Sequence, residues 1–391
     1  MTKLSKLANR PMGQPMFDLL DKAQKIERLG HKVLHFELGD PDFDTPNNIT
    51  EATIKSLKNG DTHYTSSSGC YEFKNVVQKT TIQSRGFKPS LNQILITPGA
   101  NAIIYLAIAT LVDPGMEVLY PDPGFPTYLS SINLVGAKPI PYEVNYLNRF
   151  KIDPDDIKSK ITEKTKLLIL NSPSNPTGAI SSDDSLLEIT KYAHKRGIYI
   201  LSDEIYSKMI FDSESKFFTP SIIDECKEFT IVLNGFSKAY AMTGWRLGVA
   251  IGPEVIIDKM SLILQTIVSC VPPFIQAGGI EAINGDQTEA KRMLKIYKNR
   301  VELLVNGLNE VQGMNCIMPD GAIYVFPSIK NTGYKSIEFV NLLLERKKIA
   351  ISPGTNFGVN GEGFVRLSAV NNEENIIKCI NGFKELLGEK L

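Results

Sequence analysis

Seven short apolar runs punctuate the middle of the chain: "QILIT" (93–97), "EVLY" (117–120), "KPIPYEV" (138–144), "KLLIL" (166–170), "IYIL" (198–201), "TIVL" (230–233) and "RLGVAI" (246–251). Helix-length segments separate many of them. Nearly continuous apolar strands need cover on both faces, so the pattern predicts a mainly parallel seven-stranded sheet clad by helices, an α/β fold. Such sheets hold ligands beyond the carboxyl ends of their strands. Five of the runs do end in polar or Gly/Pro-rich stretches: Pro98-Gly99-Ala100-Asn101, Pro121 to Pro126, Asn171 to Gly178, Ser202-Asp203-Glu204-Ile205-Tyr206, and "NGFSKAYAMTGWRLG" (234–248). One such ending is an ordinary turn, whereas five predict a single assembled site.

Past residue 282 the pattern changes. "EAKRMLKIYKNRVELLVNGLNEV" is a charged amphipathic helix, "GAIYVFPSI", "KKIAISPG" and "GFVRLSAV" are strand candidates, and "NEENIIKCINGFKELLGEKL" (372–391) closes as a helix. This predicts a smaller α+β unit. The first residues join it, because "KVLHFELGDPDFDTP" is a strand running into a turn. The expected division is a large domain over 47–281 and a small domain made of 1–46 and 282–391. No internal repeat or long linker interrupts this plan.

Composition narrows the function. Of 391 residues, 42% are hydrophobic and 22% charged, the profile of a globular protein. Lys plus Arg and Asp plus Glu balance at 43 each, so charge gives no reason to expect nucleic acid or an anionic membrane. Five dispersed cysteines (Cys70, Cys226, Cys270, Cys316, Cys379) fit reduced thiols, and none has metal-ligand spacing, so no metal is expected. "MTKLSKLANRPMGQP" lacks an apolar signal core, and no apolar run approaches the ~20 residues of a membrane span. The expectation is a cytoplasmic protein.

Each candidate residue admits two readings when taken singly. Lys238 is either a solvated loop lysine or a neutral amine poised as a Schiff-base nucleophile. Arg246 is either an ion-pair partner or a bidentate phosphate ligand. Asp203 is either a helix cap or a carboxylate paired with a buried cation. Tyr206 is either core or a functional neighbour of Asp203. Asn175-Pro176 is a turn pair, and Pro98 to Asn101 is either punctuation or a helix N-terminus offered to an anion.

Taken together, "NSPSNPTG" (171–178), "SDEIYSKMIF" (202–211) and "FSKAYAMTGWRLG" (236–248), in that order, resemble the class I/II aminotransferases, the pyridoxal-5′-phosphate enzymes of fold type I, aspartate/aromatic aminotransferase-like. "FELGDPDFDTP" (36–46), "HYTSSSG" (63–69), "PDPGFPTY" (121–128) and "FVRLSAV" (364–370) also match. The resemblance implies transamination of an L-amino acid with a 2-oxo acid, 2-oxoglutarate above all, through a Lys238 Schiff base. It implies that Asp203 pairs with the cofactor's ring nitrogen. Tyr206 and Asn175 would hydrogen-bond its O3′, and Phe125 would stack on the ring. Gly99, Ala100, Asn101, Ser237 and Arg246 would hold its phosphate, with Tyr64 reaching in from the second subunit of a homodimer. Arg366, with Asn175 and the backbone at Gly39, would clamp the substrate α-carboxylate.

One departure is Gly235, where many relatives carry Ser or Thr. It implies one fewer hydroxyl on the phosphate and more reliance on Arg246. Met260 to Ala290 holds no Lys or Arg, and Met16 and Phe17 are apolar where some aspartate-specific relatives are polar. Both favour an aromatic or other uncharged donor, with Gln14, Ser67 or the partner subunit as alternative ligands for a distal carboxylate. The alternative activity is a C–S β-lyase, although such relatives often carry His where Tyr206 stands. A non-catalytic, cofactor-binding regulatory module is the remote alternative, opposed by the lack of a helix-turn-helix pattern or basic cluster before "GDPDFDTP".

Overall fold

Residues 4–10, 13–212 and 217–388 are described in a computed structural model. A two-residue strand, β1 (Leu34–His35), precedes the seven apolar runs, which form β2 (Ile94–Thr97), β3 (Glu117–Asp122), β4 (Lys138–Glu143), β5 (Thr165–Asn171), β6 (Tyr199–Asp203), β7 (Thr230–Gly235) and β8 (Gly248–Ile251). All seven belong to one sheet of order β2-β8-β7-β6-β5-β3-β4. β8 runs antiparallel to both neighbours and the remaining pairs are parallel. The expected seven-stranded, mainly parallel sheet is therefore present.

The physical reason shows in the central strands. β2, β3 and β8 are buried along their whole length, and β5 and β6 nearly so. One face packs on Ile103, Ile104, Leu106 and Ile108 of the helix Ala100–Leu111, and the other on Phe73, Val77, Leu186 and Ile189. At the edge, β4 carries Pro139 and Pro141, which cannot donate to a further strand and so end the sheet there.

The rest of the chain builds a second core. It gathers Leu19, Ala23 and Phe36 with Val301, Leu304, Leu308, Ile376 and Phe383. These come from the helices Met16–Arg28, Thr288–Asn309 and Glu373–Gly388. The closing helix was expected to reach 391, but residues 389–391 lie outside the described ones. Of the strands expected here, β9 (Tyr324–Val325), β10 (Ile349–Ala350), β11 (Ser352–Pro353) and β12 (Val365–Ser368) form only short pieces. β1 pairs with β10, and β11-β12-β9 make a three-stranded sheet. Short strands suffice here because Ser368 Oγ and Arg366 bond the carbonyls of residues 36–38 sideways, tying the N-terminal segment to β12.

All five cysteines are free thiols. Among the described residues no helix is long and apolar enough to cross a membrane, and no cluster of His, Cys, Asp and Glu could hold a metal.

Candidate active site

The parallel strands bring the ends of β3, β5, β6 and β7 to one edge of the sheet. The start of β8 and the helix following β2 arrive at the same edge. A cavity of about 340 Å³ opens there. Ala100, Asn101, Phe125, Asn175, Asp203, Tyr206, Ser237, Lys238, Arg246, Gly39 and Arg366 all line it, so the structure brings together eleven residues that the sequence singled out. Tyr64 does not line it and is 88% exposed. Ser67 is also outside, accepting from Gln265 Nε2 at 3.0 Å. Gln14, Met16 and Phe17 do line the cavity.

Gly99 is needed where it stands. It holds φ +87°, and a Cβ would lie 2.4 Å from a terminal nitrogen of Arg246. It precedes the helix Ala100–Leu111, whose first N–H groups receive no side-chain cap. Uncapped helix N–H groups beside a guanidinium form an anion site. Arg246 is steadied by donating Nη1 to the Thr243 carbonyl at 2.7 Å. A Gly99→Ala variant is expected to bind the cofactor at least about tenfold more weakly, because left-handed strain and displacement of Arg246 add; equilibrium titration of the apoprotein measures this. Gly235 also has a packing reason. A Cβ there would sit 3.0 Å from Ile205 Cδ1 and 3.2 Å from the Leu247 carbonyl, leaving little room for Ser or Thr.

At the end of β6, Asp203 is buried. Its Oδ2 accepts from Tyr128 Oη at 2.6 Å and its Oδ1 from the Ile205 N–H at 3.2 Å. No ion pair is formed by it among the described residues. Burial pushes its carboxyl up to about 6, against the partial relief of those two donors. A carboxyl whose folded value lies above its ordinary 3.8 is destabilising once ionised. The sign follows: apoprotein stability is lost as pH rises from about 4 to 6, by about 2–3 kcal/mol. Asp203→Asn is therefore expected to stabilise the apoprotein above pH ~6 and to leave it unchanged near pH ~4, in urea unfolding at both values. A less stable Asn variant at neutral pH would contradict this.

Lys238, half-buried after β7, donates Nζ to the Gly39 carbonyl at 2.6 Å. It is the one lysine lining the cavity among the described residues. Arg366 is buried on β12 with its guanidinium 4.4 Å from the Tyr324 ring centre and 4.6 Å from that of Phe357. It donates to Asn175 Oδ1 at 3.1 Å and to the Glu37 carbonyl. Its Nε has no hydrogen-bond partner among the described residues, and no carboxylate pairs with it. Burial lowers its pKa. A buried cation with unused donors on a cavity wall is a receptor for a carboxylate.

Three functional neighbours were not assigned a role from sequence. Tyr128 lies inside the quoted "PDPGFPTY", yet only the fold shows that it reaches Asp203. Tyr324 meets Tyr206, hydroxyl to hydroxyl, at 2.9 Å, and its hydroxyl fills the space where a Cβ on Gly39 would stand. Asn171 accepts from the Asn175 N–H at 2.9 Å and donates to the Asp203 carbonyl at 3.1 Å, fixing two strand ends together. "PDPGFPTY" offered a signal for Tyr128; no local pattern marks Tyr324.

The donor set suits pyridoxal 5′-phosphate. An unpaired buried carboxylate answers its ring nitrogen, an uncapped helix start with Arg246 answers its phosphate, and the amine of Lys238 answers its aldehyde. Relatives agree. The model of the aminotransferase class I and II family matches residues 31–381. The aspartate aminotransferase of Pyrococcus horikoshii is 36% identical over 95% of this chain and 94% of its own. The aromatic-amino-acid aminotransferase 2 of Thermococcus litoralis is 36% identical over 95% of each. The crystal structure of the aspartate aminotransferase from Rhizobium meliloti superposes with a TM-score of 0.93 at 29% identity, covering 99% of both chains. These relatives lend no support to the β-lyase alternative and set aside a non-catalytic module. The chain belongs to the class I and II aminotransferases, enzymes of fold type I that work with pyridoxal 5′-phosphate.

Proposed function

We propose that this enzyme transfers the α-amino group of an uncharged, preferentially aromatic L-amino acid to 2-oxoglutarate, with Lys238 as the amine that bonds the cofactor's aldehyde. The observation that carries this reading is the presence of Lys238, Asp203 and Arg366 on the wall of one cavity. The cofactor, when bound, supplies an electron sink for the pair left at the substrate Cα. The residues of the chain do the rest. Arg366 and Asn175 hold the α-carboxylate, which orients the Cα–H bond. Lys238 Nζ would act first as the base that takes the Cα proton and then as the acid that gives it back two atoms along, beyond the amino nitrogen. Asp203 stays ionised against the ring nitrogen, held by Tyr128 and the Ile205 N–H. Tyr206 donates toward the ring hydroxyl, with Tyr324 fixing its orientation.

Lys238, Arg246 and Arg366 are the cations of the wall, and each has a task in this reading. No cation lining the wall is left for a distal carboxylate, so that of 2-oxoglutarate, and that of aspartate equally, would rely on the amide of Gln14, while Met16 and Phe17 offer the apolar contact that suits an uncharged side chain. Relatives named for aspartate and for aromatic substrates make both classes reasonable donors, and the wall favours the second. Tyr64, outside its own cavity, is proposed to complete the site of a second subunit in a homodimer. Exposed Leu262, Ile267 and Val268 provide apolar surface for such contact. The division at 46/47 and 281/282 is proposed likewise; the second boundary falls in the last turn of the helix Pro273–Asn284. A cytoplasmic location is proposed too, since the thiols are free.

Single-turnover absorbance tests this reading. Each amino acid is mixed with the holoenzyme without oxo acid. Rapid, stable conversion to the pyridoxamine form with phenylalanine or tyrosine, faster than with aspartate, is the expected result. Faster aspartate would overturn the donor class; release of pyruvate and ammonia would overturn transamination.

A further inference from the structure

β6 delivers a second buried carboxylate immediately after Asp203. Glu204 is 1% exposed, and strand alternation sends it with Ser202 to the side away from the cavity, whose wall includes neither. Its Oε1 accepts from Ser202 Oγ at 2.9 Å and from Thr219 Oγ1, and its Oε2 from Arg85. Arg85 ends the helix Tyr71–Arg85, is 9% exposed at its side chain, and is the one cation ion-paired with Glu204 among the described residues.

We propose that Arg85 is a positioning residue for amino transfer: by neutralising Glu204 it sets the field in which Asp203 holds the cofactor's ring nitrogen. This rests on the role given to Asp203 above. Carboxylates on adjacent residues repel at short range in a poorly solvated site. Glu204 is among the groups that raise Asp203, after burial. Tyr128 and Tyr206 also face Asp203, with Lys238 and Arg366 on the cavity wall. Arg85, Glu204 and Asp224 all bear on the buried Cys226 thiol on that side of the sheet. Without Arg85 the hydroxyls of Ser202 and Thr219 still solvate the Glu204 charge. What negative charge Glu204 keeps there is uncompensated behind the site and favours protonation of Asp203. Without Glu204, Arg85 is the unbalanced charge and favours the ionised form.

The test is pyridoxal-phosphate binding to the apoprotein across pH, followed by the fluorescence of Trp245. This is the single tryptophan of the chain, adjacent to Arg246, and its indole N–H donates to Thr45 Oγ1 at 2.9 Å. Affinity falls below a midpoint at which Asp203 takes a proton. Arg85→Met is expected to raise that midpoint by about one pH unit and Glu204→Gln to lower it by a similar amount. The double variant is expected close to the parent, as is Arg85→Lys. A purely structural role would move both single variants the same way or not at all, and either result overturns the proposal. Should Arg85→Met not fold, the downward shift in Glu204→Gln is still required. Asp203→Asn separates the two levels. An Arg85→Met shift that persists in the Asp203→Asn background overturns the role of Asp203, whereas a midpoint common to all variants belongs to the phosphate of the cofactor. A midpoint that vanishes there yet ignores Arg85 and Glu204 overturns only the role of Arg85.

Discussion

Lys238→Ala is expected to lower turnover by about 10³-fold or more, because in the proposed reaction the same nitrogen both bonds the cofactor and moves the proton. No other lysine lines the cavity among the described residues, so no neighbouring amine can substitute. The arginines there remain protonated and cannot accept a proton. Among the described residues the side chain's one hydrogen bond is from Nζ to the Gly39 carbonyl at 2.6 Å, so the fold should survive the substitution. Two measurements check this. Borohydride treatment followed by mass spectrometry should find cofactor covalently fixed to the parent at residue 238 and none fixed to the variant. A small primary amine added to the variant should restore part of the proton-transfer rate. A variant that retains a tenth of parental turnover would remove Lys238 from the chemistry.

Arg366→Met is expected to lower kcat/KM by about 10²- to 10³-fold for amino acid and oxo acid alike, since in the proposed reaction both present an α-carboxylate to the same guanidinium. The loss should appear mainly in KM. Cofactor affinity should stay near the parental value, because the phosphate end relies on Arg246 and the helix start at Ala100. Stability is expected to change little. Relief of a buried charge, whose pKa burial lowers, works against the loss of its bonds to Asn175 Oδ1 and the Glu37 carbonyl. Thermal unfolding of the apoprotein should show a Tm close to the parental one. A variant that loses cofactor, or melts well below the parent, would show that Arg366 acts mainly through its tie to the N-terminal segment. Arg366→Lys keeps the charge but not the two-pronged geometry, and should recover only a small part of the activity.

These two residues illustrate different degrees of legibility. Lys238 was visible because it stands just past one of five strand ends that pointed to one edge, inside the matching "FSKAYAMTGWRLG". Arg366 was visible only through the matching "FVRLSAV", and its bonding to Asn175 and Glu37 was not. Tyr64 shows the limit: its motif suggested a role, but its place lies outside the cavity of its own chain. Gly235 changed meaning, from a missing hydroxyl to a position where Ile205 and Leu247 leave little space. The strands past residue 320 were expected as longer elements and are two to four residues each, since side-chain bonds to residues 36–38 take over their pairing.

By itself the amino-acid sequence determined the seven strands and singled out most of the residues that gather on the cavity wall. The strands follow from local rules, the period of apolar positions and the turn residues at their ends; the roles proposed for the wall residues come from the motifs shared with the family. Only the tertiary structure decided that Tyr128 holds Asp203, that Tyr324 holds Tyr206 and fills the space beside Gly39, and that Arg85 answers Glu204. Each of these contacts joins residues 75 to 285 positions apart or across separate elements. Such pairs depend on how helices lie on a sheet and how far each side chain reaches, and no local period encodes that.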